Sequence, residues 1–126
     1  MKLYLLCAVV FILLLAICIL SAATVKNITT QTEASLQQVL TLYQAGQYSE
    51  GYKQIMHTDS FWNKHNNILG TLLYHSEIDE VTTELAMLKA YAIGDNSEEI
   101  ICSCAELFTL LEQIREMECP YLKNIL

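Results

Sequence analysis

The sequence predicts an all-α fold: an N-terminal transmembrane helix followed by a four-helix domain made of two helical hairpins. Three observations predict it. From Leu3 to Ala23 every residue except Ser21 is apolar or small, and the run has no charge, Pro or Gly. Beyond it, apolar residues recur at three-and-four spacing and nowhere alternate with period two for long, which favours helix over strand. Finally, LTLYQAGQYSEG (Leu40 to Gly51) returns as LKAYAIGDNSEE (Leu88 to Glu99). Leu, Tyr, Gly, Ser and Glu hold the same five places in both.

The leading run comes first. At about 1.5 Å per residue it is long enough to cross a hydrocarbon core of roughly 30 Å. It is also longer than the apolar region of a cleaved signal peptide, about 7 to 15 residues. We therefore read residues 1–26 as an uncleaved signal anchor and 27–126 as an acidic helical extracytoplasmic domain. The alternative is cleavage beside the small residues Ser21-Ala22-Ala23, leaving a secreted helical protein. A lipoprotein site at Cys18 is disfavoured by Ile17, where a small residue is expected. Lys2 and the amino group precede the run and Lys26 follows it, which favours a cytoplasmic N-terminus.

The first helix is expected to continue out of the membrane with Ile28, Leu36, Val39, Leu40 and Tyr43 on its apolar stripe, stopping near Ala45-Gly46, where Gly suits a left-handed cap. Ser49 is placed to cap the second helix, with Glu50 at the positive end of its dipole. That helix carries Tyr52, Ile55, Met56, Trp62, Leu69 and Leu72, with a bend expected at His57-Thr58-Asp59-Ser60. Ser76-Glu77-Ile78-Asp79 has the form of a capping box for the third helix, whose stripe is Ile78, Val81, Leu85, Leu88 and Ala92. Gly94 ends it. Ser97 begins a fourth helix, burying Ile100, Cys104, Leu107, Leu111 and Ile114 and ending before Cys119-Pro120, because a residue before Pro avoids the helical region. The tail to Ile125-Leu126 is apolar enough to pack back on the bundle.

The repeat fits this layout. In each copy Leu and Tyr lie in the last turns of a helix, Gly stops it and Ser-Glu starts the next, forty-eight residues apart. Each hairpin has one apolar face, which stacking on the other would bury.

Composition excludes some functions. The chain holds seven Lys or Arg, of which only Lys2 precedes the run, against fourteen Asp or Glu, all beyond it. So acidic a domain repels nucleic-acid phosphates and anionic lipid surfaces, and we expect no nucleic-acid partner. Cys7 and Cys18 lie in the apolar run as plain apolar residues. Cys102 and Cys104 are two apart on a helix, so they face apart and do not bridge. Cys104 reads as core; Cys119 reads as the more exposed thiol. The spacing holds no zinc motif, and no hydrolase elbow, phosphate loop or dinucleotide fingerprint is present, so no enzyme activity and no cofactor is assigned.

The candidate site residues gather at the start of the third helix. His75, Glu77 and Asp79 are the candidates for a divalent metal, with Glu80 and Glu84 one turn apart nearby. The competing reading is that acids favour helix N-termini for dipole reasons. His65, three residues after Trp62, is placed to stack beneath it. Most tyrosines are expected in core or half-core positions, with hydroxyls reaching water. Trp62, His75, Ser76, Asp79 and Tyr91 are the candidate interaction or structural residues. A groove between hairpins is one surface such residues would line, by analogy with tetratricopeptide stacks.

The segment from Trp62 through His75-Ser76-Glu77-Ile78-Asp79, the run Leu85, Leu88 and Tyr91, and the close Leu122-Lys123-Asn124-Ile125-Leu126 resemble the bacterial domain of unknown function 4363 family. The resemblance implies a short protein of Firmicutes with an N-terminal membrane segment and a helical remainder. It implies no activity. It does imply that the start of the third helix matters, whether for packing or for binding. The reading is a membrane-anchored interaction or scaffold protein of the bacterial envelope, partnered by another envelope protein. The rival is an envelope enzyme or metal-dependent factor using His75, Glu77 and Asp79.

Overall fold

A computed structural model describes residues 1–94 and 96–125, with side chains to residue 117. Its four helices are α1 (Lys2–Gln44), α2 (Tyr48–Leu72), α3 (His75–Ile93) and α4 (Ser97–Ile125), with no strand among the described residues. The first helix of the domain is thus the apolar N-terminal helix itself, continued.

With no Pro or Gly before Gly46, nothing interrupts α1. At about 1.5 Å per residue it reaches some 65 Å. Its two halves have opposite surroundings. Every residue from Met1 to Leu20 is exposed, whereas Val25, Ile28, Thr29, Thr32, Leu36, Val39 and Tyr43 are buried. Thr29 and Thr32 are core residues that the apolar spacing does not reveal. Their hydroxyls donate to the carbonyls of Val25 (2.9 Å) and Ile28 (2.8 Å), so burial leaves no polar atom unmet there.

The helices close into a ring. α1 packs on α2 and α4, α3 packs on α2 and α4, and among the described residues the backbones do not approach closely across either diagonal. This is a bundle of two hairpins facing each other. It is not a tetratricopeptide-like stack, because the backbone of α1 lies against α4 and not against α3. The core combines Leu36 and Val39 with Ile55, Trp62 and Leu69 and with the stripes of α3 and α4, whose ten expected residues are all buried. Every interface also carries a polar link. Ser35 joins Thr58 and accepts from Gln54 Nε2 (2.8 Å) between α1 and α2. Trp62 Nε1 donates to Thr82 Oγ1 (3.1 Å), and Lys89 Nζ reaches Asp59 Oδ2 (3.0 Å), between α2 and α3. Ser103 Oγ donates to Glu84 Oε1 (2.8 Å) between α3 and α4, and Arg115 pairs with Glu33 between α4 and α1.

Several local expectations are corrected. α2 runs unbroken through His57 to Ser60, because Asp59 turns to Lys89 on α3 instead of opening a new turn. Ser49 caps nothing: α2 starts at Tyr48 with Gln47 at its cap and no side-chain bond. The capping box at Ser76 does not form either. Leu73 and Tyr74 are both extended, so α3 starts at His75 and Ser76 already lies inside its first turn. α4 continues through Pro120 to Ile125, since the position before Pro is only disfavoured for helix, not barred. Tyr48, Tyr52 and Tyr74 are exposed, leaving Tyr43 buried and Tyr91 half-buried. The expectations for Cys119 and for the packing of Tyr121 to Leu126 lie outside the described side chains.

The repeat also slips. After α1, Gly46 takes φ 77°, and the Gln47 N–H returns to the Leu42 carbonyl (2.9 Å). After α3, Gly94 has φ −87°, and the equivalent bond runs from Asn96 to Tyr91 (3.3 Å). The sequences match at an offset of forty-eight, the caps at forty-nine. The two turns share a six-to-one hydrogen bond but not the glycine's place in it.

Gly51 shows why one small residue matters. A Cβ there would stand 2.5 Å from Cε2 of Tyr43, whose ring is buried and packs against Tyr48. Replacing Gly by Ala inside a helix normally stabilises by about 1 kcal/mol. Overpacking costs about 1–3 kcal/mol. Gly51→Ala is therefore expected to destabilise the bundle by about 1 kcal/mol, measured as a lower urea midpoint at unchanged slope; a stabilised variant would show that the Tyr43 ring yields freely.

Candidate functional site

The candidate surface is a shallow trough along α3 and α4. α3 contributes Asp79, Glu80, Thr83 and Glu84, and α4 contributes Glu106 and Leu110. Towards the α3–α4 turn it continues past Tyr91, Glu99, Cys102 and Ser103; the other way it reaches Glu77, Gln113, Ile114 and Met117. Helical spacing builds it. Glu77, Glu80 and Glu84 are three and four apart and so share a face. The hydrogen bond from Ser103 holds Glu84 half-buried.

The sequence-derived candidates disperse over this frame. His75 and Asp79 are four apart, lie on one side of α3 and are exposed; Glu77, two residues from each, turns to the opposite side and is half-buried against α4. The His75 ring lies beside α2, 3.6 Å from where a Cβ on Gly70 would stand. Among the described residues no group of three His, Cys, Asp or Glu side chains is placed to hold a metal ion. Trp62 is fully buried and belongs to the core, not to a surface. His65 does not lie beneath it. Its ring packs on Phe61 with centroids 4.5 Å apart, and Nδ1 lies 2.9 Å from the Phe61 carbonyl oxygen, because one helical turn brings His65 back to that residue. Ser76 is exposed. Of the five candidate interaction or structural residues, Asp79 and Tyr91 line the trough.

The cysteines separate as their spacing required. Cys102 is exposed at the trough's edge, whereas burial pushes the Cys104 thiol up to about 12 and leaves it protonated and inert.

The model of one protein family, Domain of unknown function (DUF4363), matches residues 19–125. The chain belongs to the DUF4363 family. The matched stretch takes in α2, α3 and α4 whole, with the bundled half of α1 and the last few residues of its apolar run. What this chain shares with DUF4363 is thus the four-helix bundle and the point where it meets the run. No curated protein and no solved structure matches this DUF4363 chain. Its trough was only partly legible in sequence: the acids on α3 were visible, but the α4 side and the Glu84–Ser103 bond depend on a long-range pairing.

Proposed function

We propose that this DUF4363 chain is a membrane-anchored interaction module of a bacterial cell envelope. Its N-terminus lies in the cytoplasm and its acidic bundle lies outside. The continuity of α1 carries this reading. One helix supplies both an apolar run long enough to span a bilayer and a quarter of the bundle core. No flexible segment separates anchor from domain, so the bundle is held at a set height beside other membrane proteins. The acidic trough supports a protein partner over an anionic surface. The metal-dependent alternative draws no support from the geometry, since Glu77 turns away from His75 and Asp79.

Removing residues 1–23 is expected to release the chain from membranes and leave the bundle folded, because the first twenty are all exposed and, of the other three, Ser21 and Ala22 are only half-buried. The expected change in stability is within about 0.5 kcal/mol. Alkaline carbonate extraction of the full chain and thermal unfolding of the truncated one check the two halves of this statement. A photo-crosslinking residue at Tyr91, used in intact cells, should then yield a discrete protein adduct. A full-length chain that extracts like a peripheral protein, or one that yields no adduct from the trough, would overturn the reading.

A further inference from the structure

The α2–α3 turn ends the bundle on the side where α1 leaves it. α1 and α2 are antiparallel, with Ser35 beside Thr58 and Tyr43 over Gly51. Continued along the helices, that register sets Leu69 to Leu72 beside residues 21–24 of α1. Burial agrees independently. Ser21, Ala22 and Thr24 are half-buried, whereas every residue up to Leu20 is exposed. Ser21 and Ala22 belong to the apolar run, so the bundle overlaps the last turn of the membrane segment.

The residues at that level are uncharged apart from His75 and include exposed apolar ones beside the exposed Thr71, His75 and Ser76. Ile68 is 49% exposed and Tyr74 is 71% exposed, with Leu72 and Leu73 packed against the core between them. No Asp, Glu, Lys or Arg occurs between Lys64 and Glu77, in a domain that is otherwise strongly acidic. Leu73 and Tyr74 are both extended, which makes the connection a short blunt tip. A tyrosine at such a tip has an apolar ring and a hydroxyl able to meet headgroups, the pairing found at membrane–water interfaces.

We propose that the α2–α3 turn is a second membrane contact, with Ile68 and Tyr74 seated in the interfacial region of the bilayer that α1 crosses. This rests on the anchor reading and deepens it. A second copy of the chain is the other conceivable cover for the turn. Lipid is favoured because the turn lies level with the end of the apolar run, whose residues just beyond that level, up to Leu20, are exposed on all sides. One helix fixes the position of the bundle but lets it tilt and swing; a second contact removes that freedom.

The test uses the full chain in phosphatidylcholine vesicles carrying doxyl-labelled lipid, with Tyr74→Trp compared against Tyr48→Trp at the far end of the bundle. The native Trp62 supplies the same background in both. Flotation of the vesicles reports the anchor separately. The expected result is that the chain floats, that the emission added by Tyr74→Trp is mostly lost to a shallow doxyl label, and that the emission added by Tyr48→Trp is kept. A chain that floats but shows no quenching at position 74 overturns this proposal alone and leaves the anchor standing; a self-associated turn gives that result. Equal quenching at both positions overturns it too, since the bundle would then lie on its side. A chain that fails to float overturns both readings.

Discussion

Trp62→Ala is expected to lower the stability of the bundle by about 3–5 kcal/mol, the range for removing a large aromatic side chain from a core. Trp62 is fully buried and is the largest of the buried side chains. Removing it leaves a cavity between α2 and α3, and it also strands Thr82, which accepts the indole N–H at 3.1 Å. Domains of this kind are stable by about 5–15 kcal/mol, so the variant sits near the threshold of folding. Two milder changes separate the contributions. Trp62→Phe keeps much of the packing and loses the hydrogen bond. Thr82→Val keeps the ring and leaves its N–H unmet, at an expected cost of about 1–3 kcal/mol. Urea unfolding of residues 24–126, followed by circular dichroism at the helical band, reads all three. A Trp62→Ala variant as stable as the parent would mean that the α2–α3 interface is not packed as described.

The second large effect lies one turn away. Asp59 on α2 and Lys89 on α3 meet at 3.0 Å, with the Asp59 side chain only 13% exposed and that of Lys89 34% exposed. Breaking a fully buried pair costs about 3–5 kcal/mol, because the abandoned charge has no water around it. A third of Lys89 stays in water, so Lys89→Met is expected to cost about 2 kcal/mol. Its loss strands a carboxylate inside the bundle, which is worse than losing the attraction alone. Asp59→Leu combined with Lys89→Met removes both charges and should recover most of that loss. The double-mutant cycle, read from urea midpoints, should therefore show strong coupling. Additive effects would sink the assignment of this pair as a buried link between the hairpins.

The parts of the fold legible in sequence were those that a single helix decides by itself. Ile78, Val81, Leu85, Leu88 and Ala92 follow their three-and-four stripe into the core without exception, as do Ile100, Cys104, Leu107, Leu111 and Ile114. What escaped was decided between helices. Thr29 and Thr32 are polar by composition, yet each satisfies its hydroxyl on its own backbone and so buries without penalty. Asp59 looked like the start of a new turn because its partner is thirty residues away. Ser76 looked like a cap because a serine before Glu and Asp usually is one; the extended Leu73 and Tyr74 moved the helix start ahead of it. In the trough, the shared face of Glu80 and Glu84 followed from helical spacing. The α4 wall with Glu99 and Glu106 did not, since no local pattern states which helices become neighbours.

The unbroken course of α1 has a consequence for how such a chain can evolve. An α-helix turns by about 100° for each residue added. A single insertion near Ala23 would therefore swing the trough through more than a quarter of a circle relative to whatever the apolar run touches. Length at that junction is a compass setting, and drift there would be tolerated only in steps that restore the bearing.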